Sequence, residues 1–271
     1  MNKMEVKDLH FSYDGNEEIL SGINLIFDCR STAIIGQNGA GKTTFVKLLK
    51  GLLRPTQGDV IFNGINTKES TVAGLAKYIG LVFQNPNDQI FKNKVIDEVI
   101  FGPLNIGQIP EKVRENSLNA LKTVGLYEKI DENPYDLSLS ERKLISIASI
   151  VAMNTEIIIF DEPTIAQDYN GKEKIKSIIK DLSSKGKLVI AITHDMDFVA
   201  ETFERTLVFA KGNVLLDGTT REVYSYIEEL ESAYLEPPNV TQLCQRLGVE
   251  ETFLTVEEFI EYKKKLPFND L

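Results

Sequence analysis

Cysteine and long apolar runs are scarce in this chain. Its 271 residues include only 2 cysteines, Cys29 and Cys244, which lie far apart and show no metal-binding spacing. This usage favours buried or free thiols in a reducing cytosol. No apolar run approaches the roughly 18 residues that would cross a bilayer. The sequence therefore indicates neither a cysteine-based metal site nor a segment that spans a membrane.

An excess of basic charge is also absent. The chain carries 30 basic and 40 acidic residues, which gives a formal net charge of −10. This balance argues against nucleic acid as the main partner, because a polyanion needs a basic surface. Any association with a membrane is then expected to run through a protein partner. The length suffices for one large domain or a domain with an appendage.

A glycine-rich stretch at residues 36–43 fits the phosphate-binding pattern G-x-x-x-x-G-K-S/T, known as the P-loop. Residues 32–35 form an apolar, β-branched run, and residues 44–50 have helical apolar spacing. This is the strand–loop–helix context that the pattern requires. Glycines let the backbone turn tightly, so that its N–H groups and the helix N-terminus can bind phosphate. The predicted nucleotide-binding residues of this stretch are Gly36, Asn38, Gly39, Ala40, Gly41, Lys42, Thr43 and Thr44.

Two of these side chains have specific expected roles. Lys42 is predicted to reach the β- and γ-phosphates of a nucleotide, and the Thr43 hydroxyl to hold Mg²⁺. A second predicted buried strand, residues 157–160, ends in Asp161 and Glu162. Asp161 is placed to hold Mg²⁺ through water, as in other chains with a P-loop. Glu162 is predicted to accept a proton from, or orient, the water that attacks the γ-phosphate.

Only 2 histidines occur in the chain, and they differ in setting. His194 directly follows a predicted buried strand at residues 188–192, whereas His10 has no such position. Beside a P-loop, a histidine at a strand end can hydrogen-bond both the γ-phosphate and the attacking water. The sequence therefore predicts His194 as a catalytic residue.

Alternation of strands and helices predicts an α/β fold. Residues 4–30 are predicted as short strands with a turn at residues 14–16, and Asn63-Gly64 as a hairpin turn. The stretch 86–150 is predicted to be mostly helical, and so is the chain from about residue 220. Three prolines are expected at helix breaks: Pro103, Pro110 and Pro134.

The motifs, taken together and in order, resemble the nucleotide-binding subunit of an ATP-binding cassette (ABC) transporter over residues 4–220. The resemblance implies a P-loop NTPase with a RecA-like core, an antiparallel β-subdomain, a helical signature subdomain and a short C-terminal helical extension. The nucleotide-binding domain is expected at 1–226, with its helical subdomain at about 86–150 and the extension at 227–271. ATP and Mg²⁺ are the implied cofactors.

Three further residues take roles from this resemblance. Tyr13 matches the family's aromatic residue that stacks on adenine. Gln84 matches the glutamine that touches Mg²⁺, senses the γ-phosphate and contacts the transmembrane partner. Asp168 matches the aspartate that couples the two active sites. In such proteins two subunits enclose two ATP molecules, and each site joins one P-loop to the other subunit's signature segment.

The signature segment departs from the family pattern. The usual Leu-Ser-Gly-Gly-Gln is replaced here by residues 137–141, Leu-Ser-Leu-Ser-Glu. Ser138 remains, so its hydroxyl can still reach the opposite γ-phosphate. Leu139 and Ser140 place side chains where glycine lets the backbone approach phosphate, and Glu141 adds a negative charge. Residues 165–168 also lack the usual apolar residue before the aspartate. These changes predict one half of a heterodimer with unequal sites, the alternative being a working homodimer that tolerates them.

Two weaker similarities suggest a branch of the family. Residues 97–105 and 235–243 resemble segments of energy-coupling-factor and related cobalt- or nickel-type importers. That branch implies a second, often different ATPase subunit, a transmembrane coupling protein and a substrate-binding membrane protein. It also implies a vitamin or metal ion as cargo and a location at the cytoplasmic face of the membrane. Two alternatives remain: an ABC ATPase not linked to transport, and a regulatory subunit that binds ATP but barely hydrolyses it.

Overall fold

The computed structural model describes residues 4–15 and 17–265, and the strands among them form two sheets. The larger sheet has six strands in the order β10-β9-β3-β8-β7-β6. All neighbours in it are parallel except β10, which is antiparallel to β9. Its strands are β3 (Thr32–Gly36), β6 (Ile79–Val82), β7 (Ile157–Asp161), β8 (Leu188–Ile192), β9 (Arg205–Ala210) and β10 (Asn213–Thr219).

The smaller sheet is antiparallel, in the order β2-β1-β4-β5. Its strands are β1 (Met4–Phe11), β2 (Leu20–Phe27), β4 (Gln57–Phe62) and β5 (Ile65–Asn66). The predicted hairpin turn at Asn63-Gly64 joins β4 to β5, and both residues have positive φ angles, as a tight hairpin turn requires. The predicted turn at residues 14–16 lies in the connection between β1 and β2, although Asn16 is outside the described residues.

Helices cover both faces of the larger sheet. They are α1 (Lys42–Leu49), α2 (Val72–Leu75), α3 (Val95–Asn105), α4 (Pro110–Thr123), α5 (Leu139–Ala152), α6 (Tyr169–Ser184), α7 (Met196–Thr202), α8 (Thr220–Ser225), α9 (Ile227–Ser232), α10 (Asn239–Arg246) and α11 (Val256–Lys265). The predicted helical stretch corresponds to α3, α4 and α5, which follow β6 and precede β7 in the chain and pack on one another. No helix among the described residues is long and apolar enough to cross a bilayer.

One predicted helix break is wrong. Pro103 lies inside α3, whereas Pro110 and Pro134 begin helical segments, as a residue without an N–H group favours. Proline inside a helix leaves the carbonyl four residues earlier without its usual donor. Here that carbonyl belongs to Val99, and the Ser117 hydroxyl of α4 donates to it at 3.4 Å. The neighbouring helix thus supplies the missing donor, which the sequence pattern of α3 alone does not reveal.

The larger sheet separates two hydrophobic clusters. One contains α3 to α6, and the other joins α1 to the antiparallel sheet. Strands β7 and β8 are buried along their whole length because helices and sheet cover both faces, which explains their continuous apolar sequences. Cys244 is buried in a small third cluster with Val240 and Phe253, and Cys29 is exposed; both are free thiols, as predicted.

Parallel pairing aligns the carboxyl ends of β3, β6, β7 and β8 at one edge of the sheet. The P-loop follows β3, Gln84 follows β6, and His194 follows β8, whereas Asp161 is the last residue of β7. Ligands of open α/β sheets bind at this edge, because the loops there diverge and leave a crevice. The fold therefore brings four distant segments of the chain to one place.

A close backbone approach between β4 and β1 predicts an unusual sensitivity at Gly58. Its φ is +77°, and a Cβ atom there would lie 1.9 Å from the Asp8 carbonyl oxygen. Gly64 has a similar φ of +80°, but a Cβ atom added there would meet no atom within 4 Å, so it is a matched control. We expect Gly64→Ala to lower the free energy of unfolding by about 1 kcal/mol. Gly58→Ala should cost about 2 kcal/mol more, because β1 must also move.

Urea denaturation of the two purified variants measures both free energies of unfolding. Equal losses at the two positions would contradict the close approach between β1 and β4.

Candidate active site

A cavity of about 530 Å³ lies at the carboxyl edge of the larger sheet. Three isoleucines that carry no sequence motif also line it, namely Ile19, Ile165 and Ile192. Apolar side chains at strand ends and in loops are common throughout a chain, so the sequence offers no signal for them. The predicted site residues that line the cavity are Tyr13, Asn38, Gly39, Gly41, Lys42, Thr43, Thr44, Gln84, Asp161, Glu162 and His194.

Glycine geometry shapes the loop between β3 and α1. Gly39 and Gly41 have φ angles of +82° and +96°, which residues with a side chain rarely adopt. Gly36 packs against β9, where an added Cβ would lie 2.3 Å from the Phe209 carbonyl oxygen. Gly36 and Ala40 are not among the lining residues of the cavity.

Lys42 is the first residue of α1 and lies at the base of this loop. Its Nζ donates to the carbonyl oxygens of Gly36 and Gln37, at 2.6 and 2.8 Å. Burial lowers the pKa of Lys42, and the nearby carboxylates of Glu162 and Asp161 oppose that shift. The N-terminus of α1 has no side-chain cap, so its backbone N–H groups and the ammonium form one anion-binding surface.

Asp161 and Glu162 are buried and line the same cavity as Lys42. Burial raises the pKa of Asp161, and it raises the pKa of Glu162 to about 7. Glu162 also has a φ of +47°, a conformation that is strained for a residue with a side chain and is typical of functional sites. His194 Nε2 lies 3.3 Å from Glu162 Oε1. The pair thus combines a base that titrates near neutral pH with a group that can orient it.

One atom of this site has no partner. Asp161 Oδ1 is buried and makes no hydrogen bond to any described residue. Buried polar atoms are normally satisfied, so an orphaned carboxylate oxygen beside a phosphate-binding loop fits a divalent cation. Thr43 and Gln84 add oxygen atoms from the same cavity. Magnesium typically takes one or two carboxylates plus phosphate oxygens and water, and this donor set has that composition.

Tyr13 lies at the open end of the cavity. Its ring packs edge-on against Phe11 at 4.8 Å between centroids, and its hydroxyl lies 3.2 Å from Thr44 Oγ1. The side chain is 62% exposed, so a face of the ring is free to stack on a planar group. The adenine contact of Tyr13 stays a prediction.

Ser138 and Asp168 do not line the cavity. Ser138 caps the N-terminus of α5, and Asp168 caps α6 by accepting the Gly171 N–H at 2.7 Å. Glu141 accepts two hydrogen bonds from Ser138: the serine hydroxyl and the main-chain N–H both donate to Glu141 Oε2, at 2.7 and 2.9 Å. Lys129 donates to the same carboxylate at 2.7 Å. These contacts hold the pKa of Glu141 at about 2, so its charge is paired within the chain.

The two departures from the family pattern are in contact with each other. Ser140 Oγ donates to Gln167 Oε1 at 3.1 Å, and Gln167 Nε2 donates to the Ser140 carbonyl at 3.3 Å. Ser140 stands where the family pattern has a glycine, and Gln167 stands where it has an apolar residue. A polar pair therefore connects the start of α5 to the residue before Asp168, which sequence spacing did not predict.

Comparison with known proteins decides the family. The sequence model of the ABC transporter family matches residues 22–165. A putative ABC transporter ATP-binding protein of Pyrococcus furiosus is 40% identical over 258 residues, which cover 95% of this chain and 98% of that protein. The chain belongs to the ABC transporter family. It is an ATP-binding subunit and an ATPase of that family, with a P-loop NTPase fold, as the sequence predicted.

Three further ABC proteins are similar to this chain in sequence or structure. An energy-coupling factor transporter ATP-binding protein of Methanocaldococcus jannaschii is 39% identical over 251 residues, covering 92% of this chain and 90% of that protein. The structure of cbiO1 from Clostridium perfringens, part of the ABC transporter complex cbiONQ, superimposes with a TM-score of 0.77 at 30% identity, over 90% of this chain and 100% of that chain. The structure of a dimeric ATP-binding cassette in a post-hydrolysis state, bound to ADP and phosphate, superimposes with a TM-score of 0.73 at 29% identity. The match covers 80% of this chain and 99% of that chain.

Replacing Lys42 should disable nucleotide binding by this ABC subunit. A charged hydrogen bond contributes about 1.5–3 kcal/mol, so losing the ammonium from two phosphates should weaken ATP affinity by roughly 100-fold or more. We expect this loss in Lys42→Ala, measured by titration with a fluorescent ATP analogue. Lys180→Ala is the control, because Lys180 is an exposed lysine of α6, remote from the cavity. Unchanged affinity in Lys42→Ala would contradict the site.

Proposed function

We propose that this chain hydrolyses ATP to drive a membrane importer of the energy-coupling-factor type, with a vitamin or a metal ion as cargo. The observation that carries the hydrolytic part is the buried Asp161–Glu162 pair, which lines the same cavity as Lys42. The relatives named above support the importer branch. A subunit of this kind never contacts the cargo, so the proposal on cargo comes from that branch alone.

In the proposed mechanism, the N–H groups of the P-loop and the Lys42 ammonium bind the β- and γ-phosphates. Tyr13 stacks on the adenine, and Thr43, Gln84 and Asp161 would hold the magnesium ion. That ion would neutralise charge that develops on the transferred phosphoryl group. Because binding fixes the phosphates in one geometry, the site needs little covalent chemistry from the protein.

Glu162 and His194 complete the proposed mechanism. Glu162 accepts the proton of the attacking water, a role that its pKa of about 7 suits at neutral pH. The main-chain N–H of His194 hydrogen-bonds to the Glu162 carboxylate and orients it, so the single N–H of the neutral ring can donate toward the γ-phosphate. Burial and the charge of Lys42 lower the pKa of this ring, which favours the neutral form. Both residues act from the ends of buried strands.

The second ATPase subunit is proposed to be a different chain. Ser138 and Asp168 lie outside this chain's cavity, where they are free to face a partner. The Ser138 hydroxyl is already engaged by Glu141, and Leu139 is 41% exposed at the point where a partner's phosphate would approach. Both features weaken the ATP site on the partner subunit's P-loop, which the signature segment of this chain would complete. The site on this chain's own P-loop keeps its full set of side chains.

An exposed aromatic patch supports docking to a transmembrane coupling protein, with a substrate-binding membrane protein beside it. Phe91 and Phe101 meet edge-on at 4.7 Å, and the Lys92 ammonium lies within 5 Å of both rings. These aromatic side chains are 53% and 39% exposed. Phe91 and Lys92 lie on the segment that follows Gln84, and Phe101 lies on α3. We accordingly place the chain at the cytoplasmic face of the membrane, held there by its partner.

The domain boundaries belong to the same proposal. Residues 1–226 form the nucleotide-binding domain, with its helical subdomain at about 86–150. Residues 227–271 form an extension that includes α9, α10 and α11. The third hydrophobic cluster joins α10 to α11 and supports a separate unit there, whereas Leu230 of α9 packs in the large cluster with α3 to α6. Residues 266–271 lie outside the described residues.

Replacement of the proposed base tests the enzymatic role. Glu162→Gln keeps the side-chain shape but removes the proton acceptor, so turnover of the assembled complex should fall by about 10²–10⁴-fold. ATP affinity should stay within a few-fold of the original, because the amide disturbs no phosphate contact. Steady-state hydrolysis and ATP titration measure the two effects.

The outcome also separates hydrolysis from regulation. Unchanged turnover in Glu162→Gln would identify this chain as an ATP-binding regulatory subunit whose partner hydrolyses ATP. The altered signature segment is the observation that favours this second candidate.

The oligomeric state of Glu162→Gln tests the unequal pair. Removing the base should trap any ATP-bound pair of subunits. We expect light scattering to give a mass near the 30.4 kDa of one chain both with and without Mg-ATP. An ATP-dependent homodimer would show that Leu139 and Ser140 are tolerated across the interface, and it would contradict the unequal-site proposal. Adding Leu139→Gly and Ser140→Gly to this variant provides a matched comparison, in which some ATP-dependent dimer should appear.

A further inference from the structure

Lys143 is a buried cation that no motif and no step of the proposed mechanism uses. It lies on α5, and its side chain is among the largest fully buried ones, with 1% of its surface exposed. A buried ammonium is costly unless all of its donors are satisfied. A leucine or methionine would fill the same space without that cost, so its contacts require an explanation.

The ammonium of Lys143 donates three hydrogen bonds, all to main-chain carbonyl oxygens. Its acceptors are Phe83 at 2.7 Å, Gln84 at 3.0 Å and Asp161 at 3.0 Å. Three acceptors match the three N–H groups of a lysine, so the group is fully satisfied. Hydrogen bonds from a charged donor are roughly twice as strong as neutral ones, so these are firm restraints on the backbone.

The acceptors come from two neighbouring strands at the point where their pairing ends. Strands β6 and β7 are paired in register as far as Val82 and Phe160. Beyond that pair, the chain after β6 turns toward α3, and β7 ends at Asp161. Lys143 hydrogen-bonds to both backbone segments just past this point. Its ammonium thereby connects the two segments that carry Gln84 and Asp161.

Other contacts of α5 do not make this connection. Arg142 NH1 donates to Asn87 Oδ1 at 2.8 Å, and Gln89 Nε2 donates to the Ser146 carbonyl at 2.9 Å. Both bonds attach α5 to the loop after β6, and neither reaches β7. Among the hydrogen bonds of α5 described here, those of Lys143 are the ones that join Gln84 and Asp161 through one atom.

We propose that Lys143 is a positioning residue, whose buried ammonium fixes the spacing of Gln84 and Asp161 so that both can bind one divalent cation together with ATP. This inference rests on the proposed function, since it takes Gln84 and Asp161 as the cation-binding pair. Lys143 itself is not among the residues that line the cavity. Its proposed effect is limited to the increase in ATP affinity that the divalent cation produces.

The test compares ATP binding with and without magnesium in the full-length Lys143→Met variant. Methionine has a similar volume but cannot donate, so the core stays filled while the three carbonyls lose their common donor. We expect ATP affinity in EDTA to remain within about twofold of the original. The gain in affinity on adding Mg²⁺ should fall by about tenfold or more, the equivalent of one charged hydrogen bond. Mn²⁺ binding to the ATP complex, followed by electron paramagnetic resonance, should weaken in parallel.

Arg142→Met is the matched control. It removes the neighbouring cation, which contacts the same loop but not Asp161, and should leave the magnesium effect unchanged. Lys143→Gln is a second variant that retains a shorter donor, and its magnesium effect should lie between those of the original chain and Lys143→Met. If Lys143→Met does not fold, Lys143→Gln decides the question.

Each result has one interpretation. An unchanged magnesium effect in the Lys143 variants, or an equal loss of affinity in EDTA and in Mg²⁺, would overturn the positioning role. Failure of the original chain to bind ATP more tightly with Mg²⁺ would instead count against the proposed function, because that result does not involve Lys143.

Discussion

Parallel hydrogen bonding among β3, β8, β7 and β6 is the constraint on which the rest of the structure depends. It aligns the carboxyl ends of four strands that are far apart in sequence. Each strand end then contributes one kind of chemistry: a phosphate-binding loop, a glutamine, a carboxylate pair and a histidine. The strands are apolar and fully buried, so their register is strongly specified, and the site inherits that precision.

Charged groups are buried together at this edge of the sheet. Lys42 lines the same cavity as Asp161 and Glu162, and Lys143 donates to the Asp161 main-chain carbonyl. Each of these groups has a pKa displaced toward its neutral form, chiefly by burial; for Lys143 the value is about 8. Perturbed charges concentrated around one cavity are typical of an active site, since a structural core would exclude them. The helix that carries Lys143 is capped by Ser138, so it links this chain's cavity to the surface proposed to face a partner.

Much of the site could be predicted from local sequence. The P-loop, Asp161, Glu162 and His194 are each flagged by a short apolar strand followed by a polar residue, and these signals need no long-range contact. The prediction for Pro103 was wrong because its compensation comes from Ser117 on another helix. Lys143 and the Ser140–Gln167 pair could not be predicted for the same reason: their partners are distant in sequence, and main-chain carbonyls leave no trace in a residue pattern.

The sequence by itself determined the fold class, the family and the identity of the residues in the phosphate-binding loop, because these depend on residue type and spacing along one strand or turn. Only the tertiary structure decided which side chains share the cavity and which lie outside it. It also decided that the charge of Glu141 is paired with Lys129 and that Asp161 Oδ1 has no partner among the described residues. The physical reason is that pairing, burial and displaced pKa values depend on distances between segments, and those distances exist only once the chain has folded.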